Sequence, residues 1–189
     1  MFGPPALVPR DFEIPMRVET ESFVLRPLTF DHFPLDYESY MSSVEHLQNT
    51  FDLDGDQLSV GGEIWPAGSD LEFAVVDAAW CHMEWKYFRS SFTYSALAPD
   101  ESRQLGCGYI FPCNKEGYDV LCQTWVRADE FERGFDPDFY KWFRSWVEEV
   151  WPFADRTVGW PGRDIPWEEW NALPDDERVR VGLNLQVGA

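Results

Sequence analysis

Three β-type runs follow one another with only turn-forming residues between them, and this stretch limits the fold more than any other part of the chain. Phe92 to Leu97 is the first run, Leu105 to Phe111 the second and Val120 to Arg127 the third. The cluster Pro99-Asp100-Glu101-Ser102 separates the first two, and Asn114 to Gly117 turns the chain again. Such residues fix φ, bond their own backbone or tolerate a left-handed conformation, so they punctuate strands. Connections this short join antiparallel neighbours, because a parallel pair needs a crossover of a dozen or more residues. The middle of the chain is therefore predicted to be an antiparallel sheet.

Helical period surrounds that sheet. Ser22-Phe23-Val24-Leu25-Arg26 reads as a strand closed by Pro27, and Thr29-Phe30-Asp31 offers capping residues. From Leu35 onward Tyr37, Tyr40, Met41, Val44, Leu47 and Phe51 recur at threes and fours, predicting one amphipathic helix that ends near Asp52. A Gly/Asp-rich loop follows to Gly68. Ser69-Asp70 then opens a second helix through Leu71, Val75, Ala79, His82, Met83 and Lys86. Beyond the third strand, Phe139, Tyr140, Phe143, Trp146, Val147 and Val150 predict a helix ending at Pro152. Its start is expected at Asp136 or Pro137, a preferred cap followed by a residue suited to the first helical position. The tail reads as a short strand at Thr157 to Trp160, a proline-glycine corner, a helix near Trp167 to Leu173 and a strand from Val179 to Val187. The order is α+β, with helices covering a mixed, mainly antiparallel sheet. Residues 1 to 20, punctuated by Pro4, Pro5, Pro9 and Pro15, read as an extended arm, and 21 to 189 as a single domain.

Charge and composition exclude several partners. With 34 acids against 15 bases the net charge is -19, which disfavours nucleic acid and anionic lipid and suits cationic small molecules or basic peptides. Hydrophobic residues at 44% and aromatics at 17% are too many for a disordered chain. The proline-interleaved N-terminus reads as neither a signal peptide nor a membrane span, and no apolar run of membrane length follows it. Cys81, Cys107, Cys113 and Cys122 lack paired CxxC spacing, so no metal is expected, and the thiols read as buried groups in a reducing cytoplasm.

The segment Gln123-Thr124-Trp125-Val126-Arg127-Ala128-Asp129-Glu130-Phe131-Glu132-Arg133-Gly134-Phe135-Asp136, with the element order around it, resembles the GNAT N-acetyltransferase family. In that family a strand ends in a valine and leads into a loop of pattern Q/R-x-x-G-x-G/A, whose amides and following helix hold the pyrophosphate of coenzyme A. Here the pattern falls on Phe131 to Asp136. Gly134 stands where it should, whereas Phe131 replaces the leading Gln or Arg and Asp136 the closing Gly or Ala. The resemblance implies acetyl-CoA as cosubstrate. Its pantetheine would lie along Trp125, Val126 and Arg127, and its phosphates at Arg133, Gly134, Phe135 and Asp136. Free amides at a helix start favour an anion. Asp129, Glu130, Glu132 and Asp136 oppose it, leaving Arg127 and Arg133 as counter-charges.

The resemblance also implies direct transfer: an amine attacks the thioester, a base takes its proton and a tyrosine protonates the thiolate. The chain departs from the family here. Its last tyrosine is Tyr140, inside the expected cofactor helix, and Gln123 and Thr124 stand in place of a carboxylate. Glu84, His82 and Tyr109 are the candidates for acid and base. Three readings follow: an acyltransferase acting on a small-molecule or peptide amine, a non-catalytic GNAT-fold protein that binds a ligand or partner, and an interaction protein forming a homodimer through the aromatic tail, where six tryptophans fall in 142 to 170.

Overall fold

The three antiparallel strands expected in the middle of the chain pair with one another. The computed structural model describes residues 4–53, 59–60 and 62–176. Strands β1 (Val18–Glu19), β2 (Val24–Pro27), β5 (Phe92–Leu97), β6 (Gln104–Pro112), β7 (Val120–Val126) and β8 (Val158–Gly159) form one sheet in the order β1-β2-β5-β6-β7-β8. All its pairs are antiparallel except β7 with β8. A small hairpin joins β3 (Ser59–Val60) to β4 (Glu63–Ile64). The helices are α1 (Phe33–Met41), α2 (Val44–Thr50), α3 (Leu71–Met83, continued by a π turn over Glu84–Phe88), α4 (Ala128–Glu132), α5 (Phe135–Val150) and α6 (Trp167–Ala172).

Strand alternation explains the layering. Phe92, Tyr94, Ile110, Cys122 and Val126 point to one face and meet Phe139, Phe143, Trp146 and Val147 of α5. Those α5 side chains recur every three or four residues, the stripe that a helix needs to cover a sheet. The fit is close at Gly108, where a Cβ would lie 2.4 Å from the Phe143 ring. Only a residue without a side chain lets the helix sit that low. On the opposite face Cys107 and Trp125 pack with Tyr40, Leu47 and Ala74 from α1, α2 and α3. Burial pushes the thiols of Cys107 and Cys122 well above their ordinary value. Every residue of β5 is buried, as expected of a strand covered on both faces. Four tryptophans of the aromatic tail, Trp146, Trp151, Trp160 and Trp170, are buried, and Trp142 and Trp167 are partly so.

Local chemistry sets the boundaries. Asp70 caps α3 by accepting from the Phe73 amide at 2.8 Å. The single helix expected from Leu35 to Asp52 is instead two helices, broken at Ser42-Ser43. Ser42 Oγ donates to the Ser39 carbonyl at 2.8 Å, and the Ser43 hydroxyl accepts from the Ala128 amide at 3.0 Å. Serine hydroxyls compete with the backbone ladder in this way. Helix α5 opens at Phe135 with Gly134 in the cap position, and Asp136 makes no capping bond. The proline-rich segment joins the core at Leu7 and Val8, which are buried. Leu7 N–H donates to the Arg89 carbonyl at 2.8 Å, and Arg89 Nη2 returns bonds to the carbonyls of Pro9 and Phe12. The strand expected at Val179 to Val187 lies outside the described residues. Among the described residues no helix is long and apolar enough to cross a membrane.

Candidate functional site

Strand β7 has a partner along its whole length on one side and for two residues on the other. Its ladder with β6 runs from Val120↔Pro112 to Val126↔Gly106, whereas that with β8 comprises Val120↔Val158 and Leu121↔Gly159. Beyond Leu121 the two strands part, and the outer edge of Cys122 to Val126 runs past β8. The chain after β8 folds back across this edge and places Arg163 on it. Arg163 Nη2 lies 3.4 Å from the Thr124 carbonyl oxygen and 3.4 Å from its Oγ1. The same guanidinium grips Asp136 in two bonds of 2.6 and 2.5 Å and lies over the Tyr140 ring at 5.0 Å. The Asp136 and Arg163 side chains are only 9% and 19% exposed, so the pair is largely out of water. Neither Arg163 nor its grip on Asp136 was apparent in the sequence.

The loop between β7 and α5 is held from three sides. Arg127 N–H donates to the Leu105 carbonyl at 2.9 Å, Ala128 N–H to Ser43, and Phe131 N–H to the Arg127 carbonyl at 2.8 Å. Gly134 has φ +81°, and a Cβ placed there would meet nothing within 4 Å. The glycine is thus required for its backbone conformation, and the space beside it is open. The arginines here are engaged with acids. Buried Arg127 forms a two-bond pair with Glu38 and reaches Asp129 at 3.3 Å. Arg103 holds Glu130 at 2.8 Å and also bonds Asp129. Arg133 also bonds Glu130 at 2.8 Å while keeping most of its surface in water. Of the two counter-charges read from the sequence, Arg133 is the one with solvent access. A half-open cleft of about 390 Å³ lies on the α2 side of the loop, lined by Ser43, His46, Asn49, Phe131 and Glu132 among others.

The three candidates for acid and base fall in two places. Tyr109 stands on β6 directly across from Gln123 of β7, and its Oη accepts from Trp125 Nε1 at 2.8 Å. That bond uses a lone pair of the phenol, which also bonds the Cys107 thiol, while burial keeps the group protonated by pushing its pKa far up. His82 and Glu84 sit at the end of α3, on the β2–β5 side. The His82 ring packs beside Trp85, Phe30 and Tyr87, and Trp85 Nε1 donates to the Leu28 carbonyl. Glu84 is buried, and burial raises its carboxyl to about 7.

Two further acids escaped the sequence reading. Asp36 accepts from Gln104 Nε2 at 2.5 Å in the layer between α1 and the sheet. Burial, reinforced by neighbouring Asp77, raises Asp36 to about 7, and burial raises Asp77 to about 6. Carboxyls poised in that range can take up a proton near neutral pH. A signal did exist: Asp36 stands four residues before Tyr40 and therefore lies on the apolar stripe rather than on the solvent side.

No protein-family model and no curated protein matches the sequence. Solved structures do resemble it. A protein from Bordetella pertussis assigned to the GNAT-family acetyltransferases is 13% identical over 76% of this chain and 77% of its own, with a TM-score of 0.54. A ribosomal-protein-S5-alanine acetyltransferase from Vibrio fischeri is 10% identical over 71% of this chain and 68% of its own, with a TM-score of 0.52. Likeness at such identities concerns architecture, and it agrees with the strand order and the loop-to-helix geometry above. The chain has the fold of the GNAT acetyltransferases.

Proposed function

We propose that this chain is an acyl-CoA-dependent N-acyltransferase that passes an acetyl group from acetyl-CoA to an amine acceptor. The observation that carries the reading is the parting of β7 from β8 after Leu121. It leaves an extended backbone edge for pantetheine amides, leading to the open left-handed turn at Gly134 and the first turn of α5 for phosphates. In the transfer the acceptor nitrogen bonds to the thioester carbonyl carbon, the carbon–sulfur bond breaks, a base removes the proton from nitrogen, and an acid protonates the departing thiolate. Tyr109, held protonated beside the cofactor strand, suits the acid. Buried carboxyls held near neutrality, Glu84 and Asp36, suit the base. The net charge of -19 favours approach of a cationic amine, small molecule or peptide.

A second reading has its own observation. Arg163 occupies the Thr124 carbonyl and ties it to Asp136, which closes the edge that pantetheine would use. On that reading the chain is a GNAT-fold protein that binds a ligand or partner without turnover. Calorimetric titration of acetyl-CoA into the wild type and Arg163→Ala decides between them. Binding by either protein, with thiol release when amines are supplied, is the result expected of an acyltransferase. Heat from neither overturns that reading and leaves the closed edge as the native arrangement.

A further inference from the structure

Helix α3 carries an apolar face that is exposed among the described residues. Nine large apolar side chains are well exposed among the described residues, and five of them lie on α3 and its π turn: Leu71, Val75, Val76, Met83 and Tyr87. Phe30, another of the nine, packs beside His82 of the same helix. Monomeric soluble proteins scatter such residues, and concentration on one element marks a contact surface. The acids of this helix confirm its orientation, since Asp77 and Glu84 turn inward and are shifted by burial.

The order of residues on this face identifies the occupant. Glu72 and Ala79 are spaced by seven on α3, and Lys86 stands seven residues further on, exposed in the π turn. They are symmetric about Ala79: Glu72 and Lys86 are equidistant from it, as are Val75 and Met83, and Leu71 and Tyr87. A second copy of the helix laid antiparallel, crossing at Ala79, sets Glu72 of each copy against Lys86 of the other and Val75 against Met83. The small residue falls where the axes come closest, as near approach of helices requires. A net charge of -19 pushes copies apart over most of the surface. On this face the one exposed acid and the one exposed base complement each other under a two-fold axis.

We propose that α3 is the seat of a two-fold homodimer in which the helix of one copy packs antiparallel against the same helix of a second. The interface is isologous, so every contact occurs twice. Sedimentation of the full chain is expected to give twice the 22.1 kDa chain mass. Val76→Glu, at a position 61% exposed, should yield a monomer with an unchanged circular dichroism spectrum. Glu72→Lys alone and Lys86→Glu alone each set like charges face to face at both ends and should raise the dimer Kd on the order of tenfold. The double reversal Glu72→Lys with Lys86→Glu should restore it. A wild type that sediments as a monomer, single reversals without effect, or a double variant as weak as the singles would each overturn the proposal.

Discussion

Replacing Asp136 with asparagine tests whether the carboxylate is a helix cap or a lock. The two roles give different magnitudes. Asparagine caps as well as aspartate does, so loss of a cap alone would be close to neutral. In the structure Asp136 makes no capping bond and instead forms two short bonds to Arg163, with both side chains mostly withdrawn from water. Removing one partner of a fully buried pair costs about 3–5 kcal/mol. Arg163 keeps about a fifth of its side chain exposed and can recover hydration, which lowers the figure to about 2–3 kcal/mol. Losing a negative charge in the first turn of α5 adds about 0.5 kcal/mol. The expected total is about 3 kcal/mol, or roughly 6–12 °C in Tm for a chain of this length. Thermal and urea unfolding of Asp136→Asn, Arg163→Gln and the double variant measure it. The double variant should lose much less than the sum of the singles, because the second substitution removes a group already left without its partner. A loss below about 1 kcal/mol in Asp136→Asn, or strict additivity, would refute the lock.

Stability should also fall as pH rises. Asp36, Asp77 and Glu84 have folded pKa values of about 7, 6 and 7, raised by burial, so the fold binds their protons more tightly than the unfolded chain does. Their contribution is whole below about pH 4 and drains away as pH climbs through 7. Asp36 alone sets a ceiling of about 4 kcal/mol; thermal scans from acid to neutral pH should show Tm declining, with a flatter slope in Asp36→Asn. Gly134→Ala should cost about 1 kcal/mol from the positive φ alone, since nothing stands within 4 Å to clash; a loss of several kcal/mol on urea unfolding would contradict the open turn. Gly108→Ala should cost more, about 1–3 kcal/mol, because its methyl meets the Phe143 ring. Adding Phe143→Leu should recover part of that loss in the same assay.

The parts of the fold legible in the sequence are those governed by neighbours along the chain. Strands β5, β6 and β7 show in apolar runs bounded by turn residues, Asp70 shows as a cap, and α5 shows in the spacing of Phe139, Phe143 and Val147. The break at Ser42-Ser43 was hidden inside an otherwise continuous stripe, and one of the bonds made there reaches Ala128 far along the chain. The site was legible only as far as Gly134 and the strand before it. The partner of Asp136 lies 27 positions away, beyond a helix and a strand, and no local pattern announces it. Asp36 and Asp77 come from different helices and acquire their chemistry only when both are buried against the sheet.

Cys107 and Cys122 face opposite sides of the same sheet, and each thiol is sealed beneath a different set of helices. A thiol reagent can reach neither until the overlying layer lifts, because burial withholds both access and the reactive thiolate. The native chain therefore carries two internal clocks. Modification at Cys107 times the opening of the α1–α3 side and modification at Cys122 the lifting of α5, so peptide-resolved labelling can tell whether the two sides detach together or in turn.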